Sequence, residues 1–321
     1  MSEKSVRLGV VMDPIQKIKP PKDSTLAMLL EAQKRGWEIW YMEQADLRIR
    51  DGKAMGHMRQ LTVRDDKDSW FDLGQEHDAP LGSLDTILMR KDPPFDMEYI
   101  FSTYILERAQ AEGALIVNDP QSLRDVNEKA FTAWFPQCCP ANLITRSPRD
   151  IKAFLAEHKK IVVKPLDAMG GQSIFVITEG DLNTNVIIET ITRLGKQTIQ
   201  VQAYIPEIAT SGDKRILLVE GEPIPCALAR IPPPGDARGN MAVGGTTEGR
   251  ELTERDRWIC QQVGPTLREK GLLFVGLDVI GDYLTEINVT SPTGIRELDR
   301  MFGTNIAATM CDAIQARLDQ G

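Results

Sequence analysis

Three stretches of the sequence carry residues that could do chemistry together. Residues 161–177, I-V-V-K-P-L-D-A-M-G-G-Q-S-I-F-V-I, read as a strand, a Gly-Gly turn and a second strand. Glycines let backbone amides approach a phosphate with no side chain in the way, and Lys164 adds positive charge at the strand's end. No G-K-[ST] and no helix follow, so this is neither a Walker loop nor a dinucleotide fingerprint. An ordinary glycine hairpin is the alternative. The second stretch is G-L-D-V-I (276–280) followed by L-T-E-I-N (284–288). Glu286 and Asn288 are two apart, so on a strand they share a face. With Asp278 they offer two carboxylates and an amide, the hard oxygen ligands that magnesium prefers while keeping waters and substrate phosphates. The alternative is the polar outer face of a hairpin. Against it, Asp278 and Glu286 interrupt apolar strands, where an unpaired carboxylate is costly. The third stretch, residues 231–246, holds three prolines, four glycines and one arginine, Arg238. Structureless loops longer than ~12–15 residues are lids or linkers. Strands and a helix of one domain flank this one, so a lid with Arg238 as its cation is expected.

Groups so far apart in sequence meet only if strands and helices bring them together. The run V-R-L-G-V-V-M-D-P (6–14) predicts a buried strand stopped by Asp-Pro. Ser24 can cap a helix through about Arg35, with Gly36 as its stop, and a strand follows at 38–42. This β-α-β opening implies a parallel sheet. Asp51-Gly52 between 47–49 and 61–64 suggests an inserted hairpin, whereas 65–82 has no assignable pattern. A strand at 86–89, a helix over 97–113 and a strand at 115–117 complete a first domain. Helices are then expected at 124–135, 148–157 and 185–194, and strands at 160–164, 173–177 and 198–204. The last third alternates strands (214–219, 224–230, 274–280, 284–289) with helices over 254–270 and about 306–319. Register matters for the hairpin at 276–289. A two-residue turn at Gly281-Asp282 would pair Asp278 with Thr285 and turn Glu286 away. A three-residue loop over 281–283, or a bulge with the same effect, is therefore predicted, pairing Asp278 with Glu286.

With 321 residues, 42% hydrophobic and 26% charged, the chain suits a globular protein of two or three domains that needs no disulfides. A net charge of −8 argues against a non-specific nucleic-acid partner. Cys138 and Cys139 are adjacent and Cys226, Cys260 and Cys311 stand alone, with no framework or C-x-x-C, so the reducing cytoplasm is the expected home. The three histidines are too scattered for a zinc site. No signal-peptide core and no run of ~18 apolar residues is present, so no membrane partner is expected.

The order N-E-K (127–129), V-V-K-P-L-D (162–167), G-G-Q-S-I-F (170–175), G-D-K-R (212–215), G-L-D-V-I-G-D (276–282) and T-E-I-N-V-T-S-P-T (285–293) resembles the ATP-grasp ligases. The chain looks most like bacterial glutathione synthetases. The likeness extends over nearly all of it, including M-D-P (12–14), M-R-K-D-P-P-F-D (89–96) and N-D-P-Q-S-L-R-D (118–125). The resemblance implies an α/β fold: a Rossmann-like N-terminal domain (1–122), then an ATP-grasp domain with a small lobe (123–203) and a C-terminal lobe (204–321). It implies ligation of glycine to the cysteinyl carboxylate of γ-glutamylcysteine through an acyl phosphate, with ATP and magnesium (or manganese), in a homotetramer. Another ATP-grasp carboxylate-amine ligase, or a nucleotide-binding scaffold without turnover, are the alternatives. Matched by motif, Lys129, Lys164, Gly170 and Gly171 would hold the ATP phosphates, and Gln202, Ala203, Tyr204 and Ile205 the adenine. Asp278, Glu286 and Asn288 would bind metal. Arg215, Arg230, Arg238 and Gly245 would serve catalysis, and Asp13, Arg90, Arg230, Asn288, Ser291 and Thr293 the substrate. Ala168, where glycine is expected, and Thr246, where the family's lid tends to be basic, depart from the pattern.

Overall fold

Apolar runs flanked by turn residues become buried parallel strands in the first third of the chain. The computed structural model describes residues 5–167, 173–233 and 246–320. Its first sheet is built from β1 (Arg7–Val11), β2 (Glu38–Met42), β3 (Leu47–Arg50), β4 (Lys53–Val63), β5 (Phe71–Pro80), β6 (Thr86–Met89) and β7 (Leu115–Val117), with helices α1 (Ser24–Lys34) and α2 (Met97–Ala111). The order is β3-β4-β2-β1-β6-β7, with β5 on β4. β1 runs parallel to β2 and β6, and β6 parallel to β7. All four residues of β6 are buried, as in a parallel strand covered on both faces.

The second sheet, antiparallel in the order β10-β9-β11-β8, comprises β8 (Asn142–Thr145), β9 (Lys160–Pro165), β10 (Phe175–Thr178) and β11 (Ile199–Ala203). Before it comes the short α3 (Pro120–Asp125), and α4 (Pro148–His158) and α5 (Thr184–Ile191) cover it. Ile151, Leu155, Ile161, Val163, Ile188 and Val201 make a core of their own here. The third sheet is antiparallel, β14-β13-β12-β15-β16: β12 (Asp213–Val219), β13 (Glu222–Ile231), β14 (Thr246–Glu251), β15 (Phe274–Ile280) and β16 (Tyr283–Asn288). The helices α6 (Ile208–Ser211), α7 (Glu254–Glu269), α8 (Ile295–Phe302) and α9 (Ile306–Leu318) complete it. Unlike the second sheet, it shares its core with the first: Leu8, Val10 and Leu29 cluster with Leu217, Phe274 and Ile314. No helix of the described residues is long and apolar enough to cross a membrane.

Several local expectations need correction. Asp23, not Ser24, caps α1, its carboxylate accepting from Leu26 N at 2.6 Å. The helix expected over 124–135 is absent. α3 stops at Asp125, and Asn127 Oδ1 then accepts from Lys129 N and Ala130 N, a side-chain turn that competes with helix. Short 3-10 turns at Ala130–Trp134 and Pro136–Cys138 follow. The unassigned segment 65–82 contains β5, whose residues are nearly all exposed and so lack an alternating signal. β8, β14 and α8 were not foreseen. The hairpin of β15 and β16 turns in two residues, pairing Ile280 with Tyr283 rather than with Leu284. A bulge after Val279↔Leu284 then restores Asp278↔Glu286, the pairing expected from sequence.

Candidate active site

The third sheet presents one face to a cleft against the second. Pairing across its strands decides which side chains share that face. Arg215 on β12 is opposite Asp278 on β15, and Asp278 is opposite Glu286 on β16. Two residues along, Asp213 is opposite Arg230 on β13, and Gly276 is opposite Asn288. Alternation therefore puts Asp213, Arg215, Arg230, Asp278, Glu286 and Asn288 on one face. The pairing depends on Thr285, the extra residue of the bulge. Its hydroxyl donates to Asp278 O at 3.0 Å, satisfying a carbonyl beside the bulge.

These charges form a buried network. Arg215 grips Asp278 with both Nε and Nη2, the second bond at 3.0 Å. Arg230 pairs with Asp213 through Nε at 2.9 Å and reaches Asp278 Oδ2, also at 2.9 Å. Burial pushes the Asp278 carboxyl up, but the two guanidiniums prevail and hold it well below the usual carboxylate range. Burial raises Asp213 in spite of Arg230. Arg230, though buried, is held above the usual arginine range by Asp278 and Asp213. Asn288 Nδ2 donates to Gly276 O at 3.3 Å, leaving its carbonyl oxygen for a ligand.

Across the cleft stand two lysines. Lys164 on β9 is 7% exposed, and among the described residues its ammonium makes no hydrogen bond or ion pair. Burial pushes its pKa down. A desolvated cation without an acid invites an anion. Lys129 is also buried and pairs with the neighbouring Glu128. Burial pulls its pKa down, but Glu286 and Glu128 outweigh that and raise it. Burial, then Glu286, pushes Glu128 up.

The cavity so enclosed measures about 300 Å³ and is lined by Lys129, Lys164, Gln202, Ala203, Tyr204 and Ile205 on one side. Arg215, Arg230, Asp278, Glu286, Asn288, Ser291 and Thr293 line the other. Ile174, Val176, Ile208 and Ile280 add an apolar wall suited to a flat ring. Gln202 Nε2 is buried without a partner among the described residues. The amides of Ala203 and Tyr204 already donate to Ala141 O and Lys160 O. Asp13 and Arg90 are not among the lining residues. Asp13 takes the amide of Asp92 at 2.9 Å and pairs with Lys91 at 3.0 Å. Arg90 lies beneath the turn that carries Ser291 and Thr293, donating to Pro292 O. Gly170, Gly171, Arg238 and Gly245, with the departure at Ala168 and the lid expected over 231–246 apart from its ends, fall outside the described residues. At those ends, Ile231 pairs with Thr246 as the last rung of β13 and β14. Sequence reasoning missed Glu128, Asp213 and Thr285. All three lie inside the motifs N-E-K, G-D-K-R and T-E-I-N-V-T-S-P-T, and Asp213 could have been found from its spacing of two from Arg215.

Residues 6–124 match the model of the prokaryotic glutathione synthetase N-terminal domain, and 128–303 that of the prokaryotic glutathione synthetase ATP-grasp domain. The chain belongs to the prokaryotic glutathione synthetase family. It is 61% identical to the glutathione synthetase of Pseudomonas putida over 314 residues, 98% of this chain and 99% of that one. To the enzyme of Escherichia coli strain K12 it is 57% identical over 98% of this chain and 99% of that one. Among solved structures it resembles a D-cycloserine synthetase (TM-score 0.69, 13% identity, 97% of this chain and 99% of that one). It also resembles D-alanyl-alanine synthetase A of Vibrio cholerae (TM-score 0.58, 13% identity, 98% and 99%). At that identity the likeness is one of fold. Members of this family are ATP-dependent ligases, and the chain is one of them.

Proposed function

We propose that this glutathione-synthetase family member joins γ-glutamylcysteine to glycine at the expense of ATP. Adenine would lie against Ile174, Val176 and Ile280, read by Gln202 Nε2 and by the main chain of 202–205. Lys129 and Lys164, with Gly170 and Gly171, hold the triphosphate. The dipeptide's cysteinyl carboxylate attacks the γ-phosphorus in line, giving an acyl phosphate and ADP. Arg215 and Arg230, aided by Arg238 and Gly245, neutralise the charge that spreads over the transferred oxygens. Glycine's amine then adds to the acyl carbon, phosphate departs, and the ammonium proton is lost. Asn288, Ser291 and Thr293 orient the dipeptide, and Asp13 closes the first-domain side of the cleft.

The observation that carries the metal is charge. The described lining has five acids (Asp92, Glu128, Asp213, Asp278, Glu286) against four cations (Lys129, Lys164, Arg215, Arg230). A triphosphate adds about four negative charges, so it enters such a site only with divalent cations. Glu286 and Asn288 fit magnesium as hard oxygen donors, while Asp278 reaches it only by sharing oxygens with Arg215 and Arg230. Bound there, magnesium supplies charge neutralisation of the phosphates. A phosphate-release assay with each substrate omitted in turn tests the reading: release that needs no glycine, or no dipeptide, refutes it. The homotetramer implied by the family likeness is tested by light scattering, and the cytoplasmic location by fractionation.

A further inference from the structure

The turn that carries Ser291 and Thr293 belongs to the third sheet, yet what holds it comes from the first domain. Asn118, just past β7, is 4% exposed and spends its whole amide on this region. Its Oδ1 accepts from Phe274 N at 2.9 Å, and its Nδ2 donates to Phe274 O at 2.8 Å and Val289 O at 2.7 Å. One side chain thereby splices the start of β15 to the residue after β16, where the ladder has ended. Arg90, just past β6, is 5% exposed. Its Nη2 donates to Pro292 O at 2.9 Å, its Nε to Thr25 Oγ1 at 3.1 Å, and its guanidinium lies 5.6 Å from the Phe274 ring centroid. Ser24 Oγ accepts from Gly294 N at 3.1 Å and Ile295 N at 3.2 Å, capping α8 from another domain in place of a local side chain. On its other side the turn touches the charge row, since Thr293 O accepts from Arg215 Nη1 at 3.4 Å.

We propose that Arg90, Asn118 and Ser24 are positioning residues: the first domain is the template that sets the 289–295 turn, and the turn in turn sets the dipeptide's carboxylate relative to Arg215. Arg90 makes the strongest case. Among the described residues this buried guanidinium bonds only to a carbonyl and a hydroxyl, a costly arrangement that apolar packing would replace more stably. What it supplies is geometry at Pro292, between two residues that line the cavity. Errors of about 1 Å in placing a reacting group cost ~100-fold in rate.

The inference rests on the reading that the turn contacts the dipeptide, and the test separates the two. Steady-state constants are measured for R90M, R90K, S24A, T293A and the double variant R90M/T293A. R90M and S24A should each raise KM for the dipeptide and lower kcat, R90M by about tenfold or more, with KM for ATP within about twofold. R90K, which keeps one donor for Pro292 O, should recover part of the loss. In the double variant the losses should fall well short of their product, because the turn that Thr293 needs is already displaced. Losses that multiply, with S24A silent, make Arg90 a direct contact and overturn the proposal. A silent T293A overturns the reading of the turn and the proposal with it. If R90M does not fold, the cycle S24A/T293A replaces it, and multiplying losses there have the same meaning.

Discussion

Replacing Lys164 with methionine separates binding from folding at one buried atom. The Lys164 ammonium sits at the end of β9 with no acid of the described residues bonded to it, and burial has already pushed its pKa down. A charge-assisted hydrogen bond is worth about 1.5–3 kcal/mol, so losing one to a phosphate lowers kcat/KM for ATP by about 10- to 150-fold. Removing an unpaired buried charge has the opposite effect on folding, so K164M should melt at the wild-type temperature or above it. The pH dependence has a definite sign. A lysine whose folded pKa is depressed releases its proton on folding at pH values between the folded pKa and the unfolded one, about 10.4. Wild-type stability therefore gains from Lys164 as pH rises through that window, and the advantage of K164M shrinks toward pH ~10. The assays are steady-state ADP release at varied ATP and a thermal melt from neutral to alkaline pH. A several-degree fall in melting temperature with an unchanged KM for ATP would show Lys164 to be a structural residue.

Other substitutions test the rest of the molecule. E286Q should abolish turnover at any magnesium concentration, and D278N should shift the magnesium requirement upward; unaltered magnesium titrations of both variants would remove these residues from the metal site. D278N should also flatten the acid limb of stability. The folded pKa of Asp278 lies below the unfolded one, so its contribution is full above the ordinary carboxylate range and is lost as pH falls through that range and below. Asp256, fully buried, accepts from Lys214 Nζ at 2.5 Å and from Thr253 N at 3.0 Å, completing the capping box that Thr253 begins at the start of α7. D256N strands that ammonium and should cost roughly 3–5 kcal/mol by denaturant titration, without a selective change in substrate KM. Gly212 closes α6 at φ 68°, where a Cβ would sit 2.1 Å from Arg230 O. G212A should depress both melting temperature and turnover, whereas G303A, at a similar φ in open space, should cost only about 1–2 kcal/mol and leave turnover intact.

The sequence by itself determined the strands buried on both faces and marked the residues that could do chemistry. Apolar runs broken by Asp-Pro, Gly or Asn-Asp-Pro fixed β1, β2, β6, β7 and β15, because burial on both faces leaves a local, readable signal. Carboxylates inside apolar strands marked Asp278 and Glu286, and spacing by two put Asn288 with Glu286. Exposed β5 left no such mark, and the helix expected over 124–135 failed because Asn127 turns the chain with its own side chain. Only tertiary structure decided the partners. Arg215 reaches Asp278 across 63 residues of sequence, Thr285 sets the pairing of Asp278 through a bulge, and Ser24, expected to cap its own helix, caps α8 instead. Arg90 is the sharpest case: the motif match implied a place at the substrate, and only the fold shows its guanidinium donating to Pro292 O, 202 residues away. Periodicity is a property of neighbours along the chain, whereas the partner of a buried charge is chosen by whatever long-range packing brings within about 3 Å.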